Sequence, residues 1–183
     1  FFDPGMQASV NQRAALEREL RHAIGDGQLV LYYQSQVDTR GRVTGAEALL
    51  RWRHPQRGLI PPAQFIGPAE TLGLTRPLGR WVLASACAQL VEWATRPETA
   101  QLTLAVNISG AHFRSPELVE DVRRALAESG ANPGRLRLEL TESPLLEDPE
   151  DTFIKMSALK ETGVGFTLDN FGSGYCSLSY LKR

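Results

Sequence analysis

Four oxygen-bearing residues recur at corresponding places along the chain: Glu47 in VTGAEALLRW, Asn107 in LTLAVNIS, Glu139 in LRLELTES and Asp169 in VGFTLDN. Each segment is rich in β-branched residues and leucine and reads as a strand. Side chains on a strand alternate between faces, so each segment can be sorted by parity. The sorting separates Leu104, Val106 and Ile108 from Thr103, Ala105 and Asn107. It likewise separates Leu136, Leu138 and Leu140 from Arg137, Glu139 and Thr141, and Val164, Phe166 and Leu168 from Gly165, Thr167 and Asp169. The apolar faces suit packing under helices, while the opposite faces are small or polar and carry a ligand-type residue near the strand's C-terminal end. In the earlier strand the same parity groups Glu47 with Gly45, Leu49 and Arg51. Three carboxylates and one amide carbonyl are hard oxygen donors, a set for Mg²⁺ or Mn²⁺ rather than zinc. The alternative from pattern alone is a polar interior in which Arg51 and Arg137 pair with the carboxylates.

The elements needed to bring these residues together are legible around them. Leu16, Leu20 and Ile24 recur every four residues before Gly25 and Gly27, which predicts an amphipathic helix from Val10 to Ile24. Residues 29–37 and 43–52 are β-rich and separated by DTRGR, which predicts an antiparallel hairpin. RHPQRGLIPP reads as a loop, followed by a short helix around AQFIGPAE and a longer one from Pro77 to Ala94. Strand and helix then alternate, with helices expected from Pro116 and Pro149 behind the capping residues Ser115 and Asp148, and with Gly130 and Gly163 at helix ends. Such alternation predicts an α/β fold built on a parallel sheet or barrel, whose sites lie at the C-terminal ends of the strands.

Composition bounds the rest. The 183 residues suit one domain, and with 42% hydrophobic and 22% charged residues the chain has enough apolar surface to fold. Lys and Arg number 20 against 21 Asp and Glu, so bulk charge draws the chain neither to nucleic acid nor to an acidic membrane surface. No apolar run approaches the roughly 20 residues of a membrane span, and FFDPGMQASV lacks the pattern of a signal peptide. Cys87 and Cys176 have no CxxC spacing and read as free thiols in a reducing cytoplasm.

Glu47-Ala48-Leu49-Leu50-Arg51-Trp52 resembles the signature of the EAL domains, bacterial phosphodiesterases that linearise the second messenger cyclic di-GMP. The resemblance extends to Tyr33-Gln34 with Gln36-Val37, Phe65-Ile66 with Ala69-Glu70, Val106-Asn107-Ile108-Ser109, Glu139-Leu140-Thr141-Glu142, and Asp169-Asn170-Phe171-Gly172-Ser173-Gly174-Tyr175. It implies a modified TIM (β/α)8 barrel with an antiparallel first strand. It also implies hydrolysis of cyclic di-GMP to linear pGpG with two divalent ions, Mg²⁺ or Mn²⁺. Glu47, Asn107, Glu139 and Asp169 match the metal ligands, Gln34 and Arg51 match positions that contact the dinucleotide, and Glu142 matches the residue that anchors the loop of residues 171–177. The partners implied are cyclic di-GMP, a second copy in a homodimer, and an adjacent GGDEF or sensory domain, with residues 1–8 as the linker. The implied location is the bacterial cytoplasm, either in a free protein or as part of a membrane-attached multidomain protein.

Two departures qualify what the resemblance implies. The family has two aspartates before Phe-Gly where this chain has Asp169-Asn170, so the second ion is expected to bind more weakly. A complete barrel of this type takes about 250 residues, so the C-terminal part is expected to be missing from this chain. A catalytically impaired domain that binds cyclic di-GMP as a receptor is the alternative to the enzyme. A third reading is a TIM-barrel hydrolase of another phosphate ester.

Overall fold

The computed structural model describes residues 18–140 and 148–168. Residues 18–25 are helical (α1), and the hairpin follows as β1 (Leu29–Val37) and β2 (Val43–His54). The turn between them closes as expected of DTRGR: the Asp38 carboxylate accepts from the backbone N–H of Arg40 at 2.8 Å and of Arg42 at 3.0 Å. Then come β3 (Gly58–Ile60), a 3₁₀ turn at Pro62–Gln64, α2 (Ile66–Thr71) and α3 (Thr75–Ala94). The alternating part comprises β4 (Thr103–Ile108), α4 (Gly110–Arg114), α5 (Leu118–Ser129), β5 (Leu136–Leu140), α6 (Pro149–Lys160) and β6 (Gly165–Leu168).

The sheet runs β1-β2-β4-β5-β6, with β1 antiparallel to β2 and the other neighbours on this path parallel. The expected inversion of the first strand is thus present. The segment expected as a loop contains β3, which pairs antiparallel with Trp52, Arg53 and His54. The reason is that β2 runs past the end of β4, leaving backbone groups that only a short return strand can pair.

The helix-side face of the sheet holds the larger core, where Leu104, Val106, Ile108, Leu136, Leu138 and Leu140 are at most 4% exposed and meet α3, α5 and α6. The apolar stripe of α5 that covers them is Leu118, Val122 and Ala125 at helical spacing. A second cluster around Trp52, Phe65 and Leu78 closes the hairpin end over Leu20 of α1.

Caps were read correctly at Asp148, whose side chain accepts from Asp151 N–H, and at Gly130, which ends α5 with φ 72°. Ser115 does not cap a helix beginning at Pro116. It opens a turn, α5 starts at Leu118, and a helix that the sequence did not announce, α4, precedes it behind the Ser109 cap. Gly163, with φ 97°, lies three residues beyond α6.

Two groups of polar residues fix α4, the helix that follows Asn107. Lys155 of α6 is 7% exposed and donates to the carbonyls of Phe113 at 3.1 Å and Arg114 at 3.0 Å, satisfying the C-terminal end of α4. On the other side His112 is 2% exposed and its Nε2 lies 3.7 Å from Asp121 Oδ2. Arg76 of α3 clamps the same carboxylate through two hydrogen bonds, of 2.9 and 3.2 Å. Arg80 lies 3.7 Å from it, and Glu117 pairs with Arg76.

Burial pushes the His112 imidazole pKa below its ordinary value of 6.5, outweighing the opposing pull of Asp121, and Arg76 adds to the lowering. Burial raises the Asp121 carboxyl pKa, but Arg76, His112 and Arg80 together hold it below 3.8. The stability contributed by neutral His112 is therefore present above pH 6.5 and lost as pH falls through the lowered value. That contributed by ionised Asp121 is lost only below pH 3.8. Urea unfolding between pH 7.5 and 5 is expected to show falling stability, and His112→Gln is expected to flatten that limb. An unaltered slope in the variant would assign it to other groups.

Candidate metal centre

The inner face of the sheet carries Glu47, Asn107 and Glu139, three of the residues that parity selected. The Asn107 amide Nδ2 donates to Glu47 Oε1 at 2.6 Å, which joins β4 to β2 through side chains. Asn107 is the register partner of Glu139 on β5, and Glu139 is that of Thr167 on β6. Gln34 is the register partner of Glu47 across the hairpin. Asn107 and Glu139 sit near the C-terminal ends of their strands, as expected. Glu47 does not: it lies mid-strand in β2, opposite Ala105 and one inner-face row below Asn107, because β2 continues to His54. Its longer side chain reaches up to the amide.

Among the described residues, Arg51 does not pair with Glu47 in the way the polar-interior alternative requires. Arg51 is half-buried, and its guanidinium donates to the Leu50 carbonyl at 2.8 Å rather than to Glu47. Arg137 extends over Gly165, where an added Cβ would meet its Nη1 at 3.4 Å. Glu139 is 7% exposed, and Glu47 is half-buried.

Asp169, Asn170 and Glu142 lie outside the described residues, as do the loop of residues 171–177, Cys176 and residues 1–8. Among the described residues, no three His, Cys, Asp or Glu side chains gather closely enough to hold a metal. The oxygens present nevertheless fit a hard divalent ion. With Nδ2 engaged by Glu47, the atom Asn107 has left to offer is its carbonyl oxygen, beside two carboxylates.

Sequence reasoning passed over Tyr32, which shares the inner face of β1 with Gln34. Parity carried back one strand would have found it. It also passed over Lys155, because a lysine four residues after Asp151 reads as an ordinary solvated helix pair. Cys87 is buried and free, and burial pushes its thiol pKa up to about 11, which makes it unreactive at neutral pH. No helix among the described residues is long and apolar enough to cross a membrane.

The chain is 43% identical over 184 residues to the bifunctional diguanylate cyclase/cyclic di-GMP phosphodiesterase MucR of Pseudomonas aeruginosa, covering 100% of this chain and 27% of MucR. It is 39% identical over 182 residues to the cyclic di-GMP phosphodiesterase PdeR of Escherichia coli, again covering 100% of this chain and 27% of the relative. A solved structure of the P. aeruginosa MucR phosphodiesterase in complex with cyclic di-GMP matches with a TM-score of 0.88 and 44% identity, over 92% of this chain and 68% of that one. The chain thus spans about a quarter of the length of these two curated relatives. The EAL domain family matches residues 17–183, and the chain belongs to that family.

Proposed function

We propose that this chain is part of a divalent-metal-dependent phosphodiesterase that hydrolyses cyclic di-GMP to linear pGpG in bacterial second-messenger signalling. The observation that carries the reading is the Asn107–Glu47 hydrogen bond beside the Asn107–Glu139 register pair, an arrangement of hard oxygens on the inner face of one sheet. The names of MucR and PdeR, and the ligand in the MucR structure, support the choice of substrate.

In this reading Glu47, Asn107, Glu139 and Asp169 hold Mg²⁺ or Mn²⁺, with Asn170 a weaker ligand for a second ion. When bound, the ions supply polarisation of the phosphodiester and a water of lowered pKa. The chain's own residues position the ligand. The forked donors of Arg51 suit a phosphate, Gln34 offers an amide level with Glu47, two inner-face rows from Arg51, and Glu142 anchors the loop of residues 171–177. Residues 1–183 then belong to one EAL domain, with residues 1–8 leading to a GGDEF or sensory domain. The partners in this reading are cyclic di-GMP and a second copy of the chain, in the cytoplasm, without nucleic acid or membrane contact by this domain.

The test is chromatography of the products after incubation with cyclic di-GMP in Mg²⁺, Mn²⁺ or chelator. Metal-dependent pGpG supports the enzyme. Intact ligand in the presence of a folded protein that binds it supports the receptor reading, which Asn170 favours. Asn keeps a carbonyl oxygen but lacks a formal charge, so Asn170→Asp is expected to raise turnover several-fold at sub-saturating metal and little at saturation. No change at low metal would overturn the weakened second site.

A further inference from the structure

We propose that Tyr32 is an aromatic platform for one guanine base of cyclic di-GMP, setting affinity for the ligand rather than the rate of the chemical step. The proposal rests on the phosphodiesterase reading above. Strand β1 presents two consecutive tyrosines on opposite faces. Tyr33 faces the helices, its ring centroid 5.6 Å from that of Trp93 at an interplanar angle of 61°. Burial, then the charge of Glu92, pushes its phenol pKa up. Tyr33 is occupied by packing.

Tyr32 faces the other way, with Gln34. It is 47% exposed, and among the described residues no aromatic ring contacts it. Across the hairpin it pairs with Leu49, and the inner-face rows on either side are Val30–Arg51 and Gln34–Glu47. Continuing the β2–β4 register by one residue sets Leu49 level with Asn107, and so with Glu139. The ring therefore stands in the same row as two proposed metal ligands, with the Arg51 guanidinium in the row above and Glu47 in the row below. Rows on one face of a strand are about 7 Å apart, a spacing that a nucleotide bridges between its phosphate and its base. A base whose phosphate is held at Arg51 or over Glu47 thus reaches Tyr32.

A ring left open to solvent gains by stacking on a purine, because every base has a π-face and the contact needs no hydrogen-bond match. Leu49 is the apolar cross-strand neighbour of the ring.

The experiment uses the full chain with Tyr32→Leu, which keeps apolar bulk opposite Leu49 but has no π-face, and Tyr32→Phe, which keeps the face but not the hydroxyl. The readouts are KM and kcat for cyclic di-GMP in Mn²⁺, the Mn²⁺ concentration for half-maximal turnover, and the calorimetric Kd in chelator. Tyr32→Leu is expected to raise KM and Kd about tenfold or more, with kcat changed less than twofold and the Mn²⁺ requirement unmoved. Tyr32→Phe is expected to stay within twofold of the unsubstituted protein throughout. An unchanged KM in Tyr32→Leu overturns the platform and leaves the phosphodiesterase standing. Equal losses in both variants overturn stacking in favour of the hydroxyl. Neither binding nor turnover of cyclic di-GMP by the unsubstituted protein overturns both readings.

Discussion

Replacing Glu47 by alanine is expected to lower turnover of cyclic di-GMP at least about a thousandfold, an effect of about 4 kcal/mol on the barrier. The carboxylate has two functions in the proposed site, as an anionic ligand and as the acceptor of the 2.6 Å bond from Asn107. Its removal takes a charge from the centre and frees the neighbouring amide to turn, so both contributions are lost together. Glu47→Gln separates them. The glutamine carbonyl can still accept from Asn107 Nδ2, so this variant keeps the orientation of the amide and loses only the charge. It is expected to retain more activity than alanine at saturating Mn²⁺ and to need more metal to reach it. Neither change should disturb the core, because Glu47 projects from the inner face while its neighbours Ala46 and Ala48 make the packing contacts. Product chromatography gives the rates, and thermal melting checks that the fold survives. Unchanged turnover in a folded Glu47→Ala protein would remove the proposed centre.

The second large effect is one of stability. A methyl group at position 79 would lie 2.1 Å from His112 Nδ1 and 2.2 Å from Cε1, distances that no packing tolerates. The ring cannot withdraw easily, being 2% exposed and enclosed with Asp121 between α3 and α5. Gly79→Ala should therefore destabilise by about 3 kcal/mol, despite the better helix propensity of alanine. The proof lies in the double variant. His112→Ala vacates the space, so Gly79→Ala should cost almost nothing in that background, leaving a strong coupling in the cycle. Additive losses in urea unfolding would show that the strain lies elsewhere. The effect should also reach the site: α4 starts two residues after Ile108, and Asn107 precedes that strand end, so a displaced His112 should raise the metal requirement as well.

The residues that sequence patterning found and those it missed differ in how far their environment extends along the chain. Alternation is a local property, and Leu104, Val106, Ile108, Leu136, Leu138 and Leu140 reveal their face without reference to any other strand. The convergence of Glu47, Asn107 and Glu139 follows once those faces are aligned in a parallel sheet. Position along the strand is not local. Glu47 falls mid-strand because β2 continues past it to His54, where β3 pairs with it, and the three residues Gly58–Ile60, followed by Pro61 and Pro62, carry no strand signal of their own. Helix α4 is equally silent, since five residues are too few to show a period, and Ser109 reads as the tail of a strand rather than as a cap. Lys155 and Asp121 look like surface charges on amphipathic helices. Only the arrival of α4 and α3 against them turns the lysine into a cap for carbonyls and the aspartate into a buried anchor for Arg76.

The amide at position 107 has a further consequence for the protein before any cation arrives. Carboxylates crowded on one surface repel one another, and in a folding chain that repulsion opposes assembly of the strands that carry them. Asn107 stands level with Glu139 and donates to Glu47, so a neutral dipole sits where a third negative charge would otherwise lie. Its N–H side faces an anion and holds it, while its carbonyl remains available for a cation. The sheet can thus close around an electrostatically quiet arrangement. The side chain that offers an oxygen to metal in the proposed centre thus also lowers the repulsion between the strands when no metal is bound.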